Sequence, residues 1–425
     1  MLTQIFALTI KELKVLLRDR GALVALFLLP AAFILVMTTA MQGMFASGSS
    51  NNPVPLLVVN QDQGQVAARV LTDLKTVDGL RIIEQQGGQP LTRSTAEDLI
   101  TAQIYSIALV FPLDFSARIL DAADAIQPVP AKVTFVTDPA VGSQLLSPVR
   151  GMVQGYIERE AMLAQAPRRT LLGFNQMASQ APASQAPQIQ KLGSVFTSQF
   201  VSSENIAGSS SGVEYQVISP ASYQQTFQPT SAEQNVPGYT VYGVFFIMQT
   251  IALSLFREKN DGTFRRIQAA PLSRVALLTG KLLPYFLINL VQVALMFTVG
   301  VLIFHMRLGH DPLALLVLSL ATAAAATGMG LLLASLTHTQ EQAGSLGTLL
   351  AVVLSALGGS MVPVYVMPDF MQTISRFTPH SWALNGFQDL IVRGLGLSAI
   401  LPAVGVLLAF AAGFWGIALW RFRFE

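Results

Sequence analysis

The chain has 425 residues, of which 52% are hydrophobic and 12% charged, with a mean hydropathy of +0.52 and a formal net charge of +2. Soluble domains carry about twice that share of charge, so the composition points to a protein that lives in a membrane. There is no cysteine, which excludes a disulfide-stapled domain.

Residues 2–18 have the spacing of an amphipathic helix. Leu2, Ile5, Phe6, Leu13, Leu16 and Leu17 share one face, with Gln4, Lys11, Glu12, Lys14 and Arg18 away from it. The segment 1–20 is therefore expected to lie along the inner membrane surface. The apolar run 21–43 that follows exceeds the usual core of a signal peptide and lacks a small-residue cleavage site, which makes it an uncleaved first span.

The stretch 44–235 is too long for a loop and is expected to fold by itself. Strands are predicted at 55–59, 80–84, 106–111 and 132–136, and helices at 66–75, 96–102 and 115–122. Short strands alternating with helices specify a small α/β layer structure. A longer helix is predicted over 143–165, and 213–218 returns as a strand. Between 164 and 190 the composition shifts to Gln, Ala, Pro and Ser, which predicts a linker or a frayed helix. The run Gly208–Gly212 reads as a flexible turn.

Five more apolar runs follow within 236–425, at 236–256, 282–304, 312–336, 343–363 and 397–420. A helix needs about 20 residues to cross a hydrocarbon core, so each run can span it. The expected fold class is thus a polytopic α-helical membrane protein with six spans and an α/β domain inserted between the first two. Basic residues mark the cytoplasmic side. Lys11, Lys14, Arg18 and Arg20 precede the first span, Arg257, Lys259, Arg265, Arg266, Arg274 and Lys281 separate the second from the third, and Arg421 and Arg423 follow the sixth. The opposite loops hold only Arg307, Arg376 and Arg393. Both termini and the charged loop 257–274 are therefore expected in the cytoplasm, with the domain 44–235 outside and the localisation that of a bacterial inner membrane.

The external hairpin 364–396 interleaves Phe370, Ile374, Phe377, Trp382, Leu384 and Phe387 with polar residues. Aromatic residues suit an interface. Phe377, Trp382 and Phe387 are candidates for an external gate, with a purely structural anchor as the alternative.

Catalytic chemistry is scarce. No G-x-x-x-x-G-K-[ST] loop is present, since Gly280-Lys281 is followed by Leu282, so the chain is not expected to hydrolyse ATP unaided. His305, His310, His338 and His380 have no metal-site spacing, and no G-x-S-x-G elbow occurs. No metal, bound cofactor or nucleic-acid partner is expected. Ion-coupled carriers place ionisable groups inside the membrane. These spans have none away from their ends, so the energy for transport is expected to enter at the cytoplasmic face.

The segment Glu258-Lys259, Gly262-Thr263, Arg265-Arg266, Ala270-Pro271-Leu272 and Gly280-Lys281 resembles the first cytoplasmic loop of ABC-2-type permeases, the membrane subunits of type-2 ABC exporters. Lys11-Glu12-Leu13 and Leu17-Arg18-Asp19-Arg20, Gly358–Pro363 and Thr378–Ala383 extend the similarity in family order, in the subgroup with a large external domain. The resemblance implies a half-transporter that pairs with a second permease copy or paralogue and with two ABC ATPase subunits, which would hold the ATP and magnesium. It also implies that Glu258, Lys259, Gly262, Thr263, Arg265, Arg266 and Pro271 form or position a coupling helix that docks on the ATPase. Thr263 would cap that helix and Pro271 end it. A hydrophobic or amphiphilic cargo, drug-like or lipid-like, suits uncharged spans, and the external domain could receive a periplasmic adaptor. The alternative is a membrane-anchored receptor or assembly scaffold.

Overall fold

A computed structural model describes residues 2–28, 30–32, 34, 53–77, 79–123, 129–141, 143–182, 184–200, 212–223, 230–262, 274–361, 363–364 and 367–421. They fall into two compact units, one formed by 1–45 together with 223–425 and the other by 46–222.

The first unit begins with helix α1, Leu2–Arg18. Several of its apolar side chains point outward, Phe6 and Leu17 being 66% and 58% exposed, whereas Leu16 and Glu12 are buried. The chain continues through a short helical turn, Arg20–Leu23, into a π-helical stretch, Val24–Leu28. Positions 35–43 of the predicted first span lie outside the described residues.

The second unit is an α/β layer structure. Strand β1 (Val54–Asn60) leads through helix α2 (Gln65–Leu74) to β2 (Leu80–Ile83). A small hairpin, β3 (Gln85–Gln86) and β4 (Gln89–Pro90), precedes α3 (Arg93–Thr101). Then come β5 (Ile107–Phe111), α4 (Phe115–Asp121) and β6 (Ala131–Thr137). Helices α5 (Ser143–Gln180) and α6 (Ala186–Phe200) precede β7 (Val213–Ile218). The main sheet has the order β2-β1-β5-β6-β7, with only the β5–β6 pair antiparallel. Successive strand residues point to opposite faces. Leu56 and Val58 of β1 therefore enter one core with Val70, Phe115 and Val153, while Leu57 and Val59 enter another with Leu99 and Ile100. Burial on both faces is why β1 reads as a continuous apolar run rather than an alternating one.

Of the two alternatives for 164–190, linker or frayed helix, the structure has helix over most of the segment. Helix α5 continues to Gln180, and α6 packs against it through Phe174 and Phe196, with ring centroids 6.0 Å apart. Ala, Gln, Leu and Arg are good helix formers, and the partner helix supplies the burial that composition alone did not promise.

The first unit resumes with four long helices: α7 (Ser231–Asn260), α8 (Arg274–Phe304), α9 (Pro312–Leu336) and α10 (Gln340–Leu357). Two short ones, α11 (Asp369–Ser375) and α12 (Pro379–Ile391), precede α13 (Leu397–Arg421). Among the described residues, four helices are long and apolar enough to cross a membrane, within α7, α8, α9 and α13. The predicted fifth span, 343–363, corresponds to α10, which stops at Leu357 where Gly358 and the left-handed Gly359 break the helix.

A capping box starts α7. The Thr230 N–H donates to Glu233 Oε2 at 2.8 Å and the Glu233 N–H donates to Thr230 Oγ1 at 3.5 Å. The second oxygen, Oε1, accepts the Arg307 N–H at 3.2 Å, so the same carboxylate also fastens the turn after α8. Thr230→Ala is expected to cost about 1 kcal/mol and Thr230→Ser to recover most of it, measured as thermal midpoints in detergent.

Candidate functional site

The charged residues before the first span and after the second meet in space. Glu12 on α1, Glu258 at the end of α7 and Lys281 near the start of α8 form a buried ionic cluster, their side chains 1%, 12% and 3% exposed. Lys281 Nζ is bonded to Glu258 and lies 3.4 Å from Glu12 Oε1. Lys11 Nζ, half-exposed, also bonds Glu258 and reaches Glu12 at 3.2 Å. Ser254 Oγ donates to Glu12 Oε2 at 3.5 Å. At the rim, Arg257 Nη1 bonds Asp19 Oδ2 at 2.7 Å. Buried carboxylates require such partners, because an unpaired ion in a low-dielectric interior is costly.

Asp19 itself is stabilised as an anion. The backbone N–H of Ala22 donates to it at 3.0 Å, and with the Arg257 guanidinium beside it this holds its carboxyl below the usual carboxylate value. A carboxyl whose pKa is lower folded than unfolded adds stability above its unfolded pKa and loses it as pH falls through the folded value. Asp19→Asn should therefore flatten the acid limb of the stability profile below about pH 4, checked by thermal midpoints from pH 3 to pH 7.

Of the predicted coupling residues, Glu258, Lys259 and Gly262 are described; Thr263, Arg265, Arg266 and Pro271 lie outside the described residues. Glu258 is turned inward onto Lys11 and Lys281, whereas Lys259 is exposed. Gly262 has φ +69° just past the α7 cap at Asp261, a left-handed conformation that glycine adopts without strain.

The three aromatic residues singled out as a gate are not brought together on one surface. Phe377 is 76% exposed, but Phe387 is fully buried, its ring edge-on to Phe297 with centroids 5.3 Å apart. The Trp382 indole N–H donates to the Arg376 carbonyl at 2.7 Å. His380 lies in the same helix, buried and stacked on Phe245 at 3.9 Å, with neither ring nitrogen hydrogen-bonded. Burial pushes its pKa down to about 3, so it is neutral.

Sequence reasoning treated Glu12 as part of the solvated face of α1 and Lys281 as flanking charge. The signal that could have found them is that each borders apolar residues, Leu13 beside Glu12 and Leu282 beside Lys281, ahead of the first and third predicted spans, where a charge pair lets both side chains be buried.

A family profile described as ABC-2 family transporter protein matches residues 20–420. The chain is 28% identical over 206 residues to the linearmycin resistance permease protein LnrN of Bacillus subtilis (strain 168), covering 47% of this chain and 53% of that protein. It is 28% identical over 173 residues to the inner membrane transport permease YhhJ of Escherichia coli (strain K12), covering 40% and 46%. A third similarity, 25% over 198 residues, is to the probable multidrug ABC transporter permease YbhS of Escherichia coli (strain K12), covering 45% and 52%. The chain spans about half the length of the curated relatives it matches.

Proposed function

The chain belongs to the ABC-2 family of transporter proteins, and on that premise we propose that it is the membrane subunit of an ATP-driven exporter of hydrophobic or amphiphilic compounds. Separate ABC ATPase subunits supply the energy, and a second permease completes the path. In this reading the inner membrane is crossed six times with both termini in the cytoplasm, and the segment 46–222 lies outside, where a periplasmic adaptor could meet it. The relatives named for linearmycin resistance and multidrug transport favour a cargo of this class.

The observation that carries this reading is the buried cluster of Glu12, Glu258 and Lys281. It ties the interfacial helix α1 to the two helices that flank the loop 261–273, so a push on that loop is delivered to α1, α7 and α8 together. Glu258 serves as this internal tether, and the docking contacts fall to Lys259 and the loop residues Arg265 and Arg266. Charge reversal at such an interface costs several kcal/mol. Lys259→Glu with Arg265→Glu is therefore expected to weaken co-purification with the cognate ATPase by tenfold or more and to abolish cargo-stimulated ATP hydrolysis. Unchanged association and unchanged stimulation would overturn the docking surface.

A further inference from the structure

The π-helical stretch in the predicted first span has a cause in the sequence. In an α-helix the carbonyl of Leu26 accepts the N–H of residue 30, and Pro30 has none. The backbone widens over Val24–Leu28, and the freed carbonyl takes a donor from another helix: Gln292 Nε2 on α8 donates to Leu26 O at 2.6 Å. A proline, a π-helical stretch and a side chain entering the backbone ladder each bend helices, and here all three meet. Gly243 on α7 makes the room, since a Cβ there would stand 2.8 Å from both Pro30 Cγ and Gln292 Nε2.

Gln292 is fully buried, and its Oε1 has no hydrogen-bond partner. An apolar side chain of the same size would pack there without the cost of an unpaired acceptor. What the amide adds is the N–H that Leu26 lacks. Lower on α8, Lys281 holds Glu12, and the Gly280 carbonyl accepts Thr9 Oγ1 of α1 at 3.3 Å. The chain from α1 to Leu26 is therefore fastened to α8 at two levels, roughly 16 Å apart at 1.5 Å per residue.

We propose that the first span is jointed at Leu26–Pro30 and that Gln292 is the latch that holds the near side of the joint to α8. The segment from α1 to Leu26 travels with α8, and the chain bends at Pro30. This inference rests on the exporter reading above and deepens it: a push on the loop 261–273 is carried rigidly as far as Leu26 and becomes a bend beyond it.

The test is hydrogen exchange of the full chain in phosphatidylcholine nanodiscs, without ATPase or nucleotide, read by mass spectrometry on the peptide 22–32. Pro30→Ala supplies the missing N–H and should slow exchange of that peptide about fivefold, the effect expected of one net hydrogen bond. Gln292→Leu should speed it by a similar factor and lower the thermal midpoint. In the Pro30→Ala background Gln292→Leu should change neither, because the Leu26 carbonyl then has a backbone donor. Exchange indifferent to Pro30→Ala would overturn the joint, and an effect of Gln292→Leu undiminished by Pro30→Ala would overturn the latch. Every arm is read on the chain alone, so a chain that passes but binds no ATPase sinks the exporter reading, and one that binds its ATPase but fails sinks the joint.

Discussion

Lys281→Met is expected to be the most damaging single substitution at the basic end of the helices, lowering stability by roughly 3–5 kcal/mol. The change is nearly volume-conserving, so packing loss contributes little. It strips the buried cation from Glu12 and Glu258, whose side chains are 1% and 12% exposed. Among the described residues Lys11 is then the cation left bonded to both, and it is half-exposed. Adding Glu258→Gln to Lys281→Met should recover part of the loss, because breaking one partner of a buried pair costs more than removing both. Thermal unfolding of the single and double variants in detergent makes the comparison, with coupling read as a double-mutant cycle. A single variant as stable as the wild type would mean that the carboxylates are solvated and the cluster is not a structural tether.

Gly309→Ala is expected to cost on the order of 3 kcal/mol, by a different mechanism. Gly309 has φ +82°, where an L side chain is strained, and a Cβ there would stand 2.4 Å from the carbonyl oxygen of Leu390. Backbone cannot yield as a flexible side chain would, so the α8–α9 connection or the end of α12 must move. Gly262 separates the two contributions: φ is +69°, but nothing lies within 4 Å of its would-be Cβ. Gly262→Ala should therefore cost only about 1 kcal/mol. Equal midpoints for the two variants would show that the contact with Leu390 contributes nothing.

Much of the secondary structure was legible. Strands at 55–59 and 106–111 became Val54–Asn60 and Ile107–Phe111, because two-sided burial leaves short uninterrupted apolar runs, and 132–136 became Ala131–Thr137, where Lys132 and Thr134 alternate with buried Val133 and Phe135. The long apolar helices were equally plain. What the sequence hid was which side of α1 faces the protein. In water the apolar stripe turns inward, but beside lipid the apolar side chains are the ones that can face out. Thr9, Glu12 and Leu16 are buried instead, and Phe6, Ile10 and Leu17 are exposed. Apart from its neighbour Lys11, the partners of Glu12 are 242 and 269 residues away in Ser254 and Lys281, a distance at which no local pattern could pair them. In the sequence Phe387 reads as part of an interfacial run interleaved with polar residues; within α12 it is buried on one face with Ala383, Leu384, Leu390 and Ile391, and Phe297 meets it from another helix.

Glu233 acquires a wider meaning beside the ionic cluster. Its two oxygens hold the start of α7 and the turn beyond α8, while Glu258 and Lys281 join the other ends of the same helices. Two rods clamped at both ends resist sliding past one another and hinging independently. They form a closed frame, and a torque applied at one short side emerges at the opposite side as a tilt of the whole frame rather than being lost in the bending of one helix.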